Sequence, residues 1–95
     1  MSFSTYGTNT SLVEPARLVQ IASVAFENDA VILHLSDGRA IYLDMSRYTW
    51  LHWLLKANVE QRYRWEIMPS GGGVWWDELD EGIELQPLLD LQPLI

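Results

Sequence analysis

The chain has 95 residues, of which 48% are apolar and 12% aromatic, and a formal net charge of −7. That length supports one core rather than two, burying roughly 60–70% of the unfolded surface. With no cysteine, disulfides, thiolate chemistry and cysteine-based zinc sites are excluded.

The chain opens on a Ser/Thr/Asn-rich stretch, MSFSTYGTNTS. It has neither the basic residues nor the apolar core of a signal peptide, so a soluble, cytoplasmic protein is expected. Residues 1–16 are expected as a flexible arm, 17–91 as a single α+β domain and 92–95 as a frayed tail.

Three β-like segments follow the arm. Leu18 to Phe26 ends at Asn28-Asp29, a pair that tolerates the left-handed conformations of a two-residue hairpin. With that loop, Phe26 faces Val31 and Val24 faces Leu33. The next turn holds Ser36-Asp37-Gly38. A three-residue loop with Gly38 left-handed and a bulge pairs Leu33 with Ile41 and Val31 with Leu43. A slip of one residue flips a whole strand, and only this register puts Val24, Phe26, Val31, Leu33, Leu35, Ile41 and Leu43 on one face. The other face then shows Ser23, Ala25, Ile32, His34, Ala40 and Tyr42. It is neither apolar nor polar enough to settle its role, and Ile32, His34 and Tyr42 make it a candidate for a homodimer.

A helix is predicted from about Thr49 to Arg62, with Thr49 as N-cap, or Ser46 for an earlier start. Its apolar stripe is Trp50, Leu51, Leu54, Leu55, Ala57 and Asn58, against a wet face of His52, Lys56 and Glu60. This one main helix is expected on the apolar face of the sheet. Trp65 to Met68 and Val74 to Trp76 read as a C-terminal hairpin across Pro69 to Gly73. An acidic turn follows, Asp77 to Glu81, then a tight bend at Gly82, a very short strand through Ile83 and Leu85, and a last apolar segment opened by Pro87. The apolar stretch around Trp50 to Leu55 is broken by His52 and is far too short to span a bilayer.

Charge is concentrated at this end. Through Arg64 six acids meet six bases; beyond it Glu66, Asp77, Glu78, Asp80, Glu81, Glu84 and Asp90 stand without a Lys or Arg. A negative, Trp-rich lobe suits a basic or polar partner and repels a phosphate backbone. Arg39, Arg47, Arg62 and Arg64 could cluster locally, but no basic patch is evident and nucleic-acid binding is not expected.

Signatures of chemistry are weak. The Gly71–Gly73 run lacks the Lys-Ser/Thr of a phosphate loop. His34 and His52 sit on different elements without metal spacing. The carboxylates at 77, 78, 80, 81 and 84 offer oxygens that suit a hard cation, but not in an EF-hand pattern. No nucleophile elbow or triad order is present. No catalytic residue, metal or cofactor is assigned. Trp75 and Trp76 are adjacent, so on one strand they face opposite ways, one inward and one beside the acids.

Three segments in order resemble one family: LSDGR at Leu35–Arg39, KANVEQRYRWEI at Lys56–Ile67, and GGGVWWDELDEGIELQPLL at Gly71–Leu89. They are similar to the bacterial "domain of unknown function 2442" family. The resemblance implies a small α+β domain without an established activity or cofactor, often encoded beside a small partner protein in toxin–antitoxin-like pairs. Some members carry a following helix-turn-helix domain, to which nothing in this chain corresponds. Asp77 replaces the family's usual proline, Gly82 an acid, and Tyr48-Thr49-Trp50 the usual Tyr-Pro-Arg; if those positions contact a partner, a different one is expected here.

The reading that results is a non-enzymatic, antitoxin-like interaction module. Its expected contacts are Trp75, Trp76, Asp77, Glu78, Asp80, Glu81 and Glu84. The alternative is an acidic inhibitor that mimics nucleic acid and blocks a basic groove.

Overall fold

The computed structural model describes residues 19–91, so the arm expected at 1–16 and the tail at 92–95 lie outside the described residues. Strands β1 (Ile21–Glu27), β2 (Ala30–Leu35) and β3 (Ala40–Asp44) form the first sheet. A 3-10 turn (Thr49–Leu51) runs into the short helix α1 (His52–Leu55), followed by α2 (Val59–Arg62). Strands β4 (Trp65–Ile67), β5 (Gly73–Trp76) and β6 (Glu81–Glu84) form the second sheet, with a 3-10 turn (Asp77–Leu79) before β6 and helix α3 (Leu85–Leu91) after it. Both sheets are antiparallel, ordered β1-β2-β3 and β4-β5-β6. The architecture is α+β.

The first sheet has the register its turns dictate. Val24 faces Leu33 and Phe26 faces Val31 across a loop with left-handed Asn28 (φ 54°). Leu33 faces Ile41 and Val31 faces Leu43, with Gly38 at φ 93° and Leu35 N–H bonded to Arg39 O at 2.8 Å. A further irregularity between Ile21 and Ser23 was not foreseen. It breaks strict alternation, so Ile21 is buried while Ala22 stays exposed.

The single helix expected over 49–62 is instead a 3-10 turn and two one-turn helices. Asn58 divides them, with extended backbone (ψ 173°). Its side chain accepts from Gln61 N at 2.8 Å, and the Gln61 side chain accepts from Asn58 N at 3.0 Å. This reciprocal cap starts a new helix where the apolar stripe alone suggested continuation. Arg62 then donates to Leu55 O at 2.9 Å and Leu54 O at 3.3 Å, satisfying carbonyls at the end of α1. Thr49 is not an N-cap; it opens the 3-10 turn, whose flanking residue Tyr48 makes no side-chain cap.

The C-terminal hairpin gains a third strand. β4 pairs with β5 and β5 with β6, matching Val74 to both Ile67 and Ile83. The tight bend expected at Gly82 is made by Asp80, which is left-handed (φ 54°, ψ 41°), and Leu85 begins α3 rather than continuing a strand.

One hydrophobic cluster joins both sheets with α1, α3 and the 3-10 turn at Leu51, with Leu33, Met45, Leu51, Leu54, Val74 and Trp76 fully buried. Each fully buried side chain of this size contributes roughly 1.5–3 kcal/mol. The sheets meet where β1 lies beside β4. There Ile21 N–H donates to Gly71 O at 2.9 Å and Gln20 Nε2 to Ser70 O at 3.0 Å. The glycine-rich tip is thus docked against the start of β1.

Candidate functional site

Alternation along β5 gives its two indoles different tasks. Trp76 shares a face with Trp65, Val74 and Ile83 and is 0% exposed. Its Nε1 donates to Arg62 O at 2.9 Å, and Trp53 meets it edge-on with centroids 5.4 Å apart. Of the contacts expected from sequence, Trp76 is therefore removed; it belongs to the core. Trp75 points the other way and is half-buried, facing Glu66 on β4 and Gly82 on β6. A Cβ at Gly82 would lie 2.5 Å from Trp75 Cε3 and 2.8 Å from Val74 O. Gly82 is thus a place where an indole lies flat on a neighbouring strand, not a bend.

Two open grooves flank Trp75. The larger, about 590 Å³, is lined by Trp50, Met68, Trp75, Pro87, Leu88 and residues of β6. The smaller, about 420 Å³, lies on the β4 side between Trp75, Met68, Ile67 and Pro69. The charged groups in these linings are carboxylates: Glu81 and Glu84 in the first, Glu66 in the second. Trp50 was expected on the buried stripe of a long helix. Because it sits in a 3-10 turn it is 47% exposed, and Trp53 packs against the core in its stead. Trp53 Nε1 donates to Trp50 O at 2.7 Å. Trp50, Met68, Pro87 and Leu88 were not foreseen as site residues. Hydrophobic spacing finds core positions and carries no signal for an apolar residue left at a groove.

The acidic lobe divides. Glu81 and Glu84 rim the larger groove. Glu78 does not stand unopposed, since Arg64 Nη1 holds it at 2.9 Å and Gln61 Nε2 lies 3.4 Å from its other oxygen. Asp77 and Asp80 are exposed in the turn before β6 and line neither groove. The arginines do not gather into a patch. Arg39 binds Asp37 at 2.8 Å and Arg47 lies 3.6 Å from Asp44; Arg62 is spent on the α1 carbonyls and stacks 5.7 Å from the Phe26 ring centroid.

Two aspartates have pKa values below the ordinary range, both in turns of the first sheet. For Asp37 the main cause is the Arg39 backbone N–H, with its side chain adding to it. For Asp44 it is the Ser46 hydroxyl at 2.6 Å, then the Ser46 N–H.

The outer face of the first sheet is also split. Ile32 is buried, outside the main cluster, while Tyr42 is 64% exposed and His34 is exposed. His34 lies on this face and His52 opens α1, so they do not converge. Among the described residues no three His, Asp or Glu side chains are arranged to hold a metal ion. Among those residues, too, no helix is long and apolar enough to cross a membrane.

Residues 21–93 match the family model described as "Protein of unknown function (DUF2442)". The chain belongs to this family. Two solved structures share the fold. One is the crystal structure of a protein of unknown function from Rhodospirillum rubrum ATCC 11170, 23% identical, covering 76% of this chain and 86% of its own, with a TM-score of 0.61. The other is the solution NMR structure of the uncharacterized protein CV0863 from Chromobacterium violaceum, 20% identical, covering 93% of this chain and 85% of its own, with a TM-score of 0.64. No curated protein matches the chain.

Proposed function

We propose that this family member is a non-enzymatic interaction module, antitoxin-like, that holds a small partner protein through the Trp75 side of its second sheet. The observation that carries this reading is an indole turned away from the core, flanked by apolar grooves whose charged groups are carboxylates. Trp75, with Trp50 and Met68, supplies apolar area to desolvate, and tryptophan is enriched among the anchors of interfaces. Glu81 and Glu84, joined by Glu66, select a basic partner and speed its approach. Asp77 and Asp80 contribute to the long-range field only, and Glu78 is occupied by Arg64. A nucleic-acid mimic would need carboxylates spread without an apolar floor, which is why a protein segment is the better occupant.

The partner to test is a small protein of the host captured with the full chain, first among them any encoded in a neighbouring gene, the arrangement that the family resemblance implies. Trp75→Ala and the double variant Glu81→Gln/Glu84→Gln are each expected to abolish its co-purification at physiological salt. Asp77→Asn/Asp80→Asn is expected to leave it intact. Retention of the partner by the first two variants would overturn the reading.

A further inference from the structure

The larger groove runs along a strand edge. In the second sheet β4 lies beside β1, whereas β6 pairs with β5 alone among the described residues. Leu85 N–H donates to Gly72 O at 2.8 Å, which makes that a hydrogen-bonded pair. Antiparallel ladders alternate, so the pairs 74/83 and 76/81 bond likewise, while Gly82 and Glu84 turn their N–H and C=O groups outward. Among the described residues, Gly82 and Glu84 make no hydrogen bond outside the sheet. An edge bearing unmet backbone groups, beside an apolar groove, is a template for another strand.

We propose that the partner enters as an extended segment that adds a fourth strand to β6. This rests on the reading that the Trp75 side receives a partner, and it specifies how. Register follows from the edge. The incoming residue opposite Gly82 packs against the edge of the Trp75 indole, which itself lies over Gly82. The residue opposite Ile83 faces the Leu88 side and is apolar. Those opposite Glu84 and Glu81 meet carboxylates and are basic, since opposite charges stabilise directly facing pairs. The occupant is therefore a basic–apolar–apolar–basic segment. A second copy of this chain does not fit, because it would bring its own glutamates and a further net charge of −7 to the same edge.

The probe is a fluorescein-labelled, amidated Thr-Lys-Val-Val-Lys-Thr peptide, titrated by anisotropy against the full chain. A parallel set carries one N-methyl group at each position in turn. Strand addition uses the N–H of alternate residues only, so affinity should fall about tenfold or more at alternate positions and hold at those between. The peptide should also slow hydrogen exchange at the Gly82 and Glu84 amides. An N-methyl effect without that alternation, or no binding at millimolar peptide, overturns strand addition. The two readings fail separately. If Trp75→Ala releases the whole partner but alternation is absent, docking stands and the strand does not. If a Glu-Val-Val-Glu version of the probe binds equally well, the selection of a basic partner fails as well.

Discussion

Both sheets are three-stranded antiparallel meanders, yet the first has strands of seven, six and five residues and the second strands of three, four and four. In the first, pairing is long enough for turn geometry to fix the register, and one face supplies much of the core. In the second, so little ladder is available that pairing alone is marginal. Its position is fixed by what it buries: Val74, Trp76 and Ile83 on one face, with the Trp76 indole tied to the Arg62 carbonyl. That anchoring on one side leaves the other side available, and it is there that Trp75, Glu66 and Glu84 sit, while Glu81, paired with Trp76, rims the groove from the exposed start of β6. The difference separates the residues that hold the fold from those that can meet a partner, though two of them are neighbours in sequence.

The sharpest way to break this division is to truncate both indoles separately. Trp76→Ala should cost about 3–5 kcal/mol as a cavity mutation, with about 1 kcal/mol more for the abandoned Arg62 carbonyl. That approaches the whole stability of an ordinary domain, about 5–15 kcal/mol. Trp75→Ala, removing a half-buried ring, should cost about 0.75–1.5 kcal/mol, half the scale for full burial. Urea midpoints measure both, and equal losses would erase the distinction between the two faces.

A smaller effect tests how Trp75 is seated. Gly82→Ala places a methyl group against the ring and the Val74 carbonyl, at an overpacking cost of about 1–3 kcal/mol. If the ring is the main obstacle, Trp75→Ala relieves part of that cost, and the double mutant is more stable than the sum of single effects by about 0.5 kcal/mol or more. Strict additivity in urea denaturation would mean that the backbone oxygen alone makes Gly82 necessary.

The same contrast governs how much was legible in the sequence. The first sheet was readable because Asn28 and Gly38 specify turns and a wrong register exposes every inward residue. The splitting of the helix was signalled by the Asn58–Gln61 spacing of a capping box, which the apolar stripe obscured. In the second sheet, opposite faces for Trp75 and Trp76 followed from strand alternation, but which of them is buried did not. That depends on Trp53 and Arg62, brought in from elsewhere in the chain. Glycine at 82 suits both a bend and a close approach, and it is an indole on the adjacent strand that decides for the close approach. The acidic cluster was visible as composition; its division between groove rim, Arg64 partner and free turn is a matter of tertiary geometry.

The smallest effect expected lies in the first sheet, where acids serve the turns rather than a groove. Asp37 and Asp44 both titrate below the ordinary aspartate value of 3.8. A carboxyl whose folded pKa is depressed stabilises the fold above its unfolded value, and that stabilisation is lost as pH falls through the folded midpoint. The contribution of these two turns is therefore fully present above pH 3.8 and disappears below it. Carboxyl-carbon NMR should give both midpoints under that value. Ser46→Ala removes the hydroxyl that is the main cause at Asp44, so the Asp44 midpoint should rise towards 3.8 while Asp37, held by Arg39, stays in place. An unmoved Asp44 would mean that the Ser46 backbone N–H and Arg47 hold it without the hydroxyl. Either way the turn acids answer to partners two residues away, whereas Glu78 answers to Arg64 across the fold and Glu81 and Glu84 are turned towards the groove.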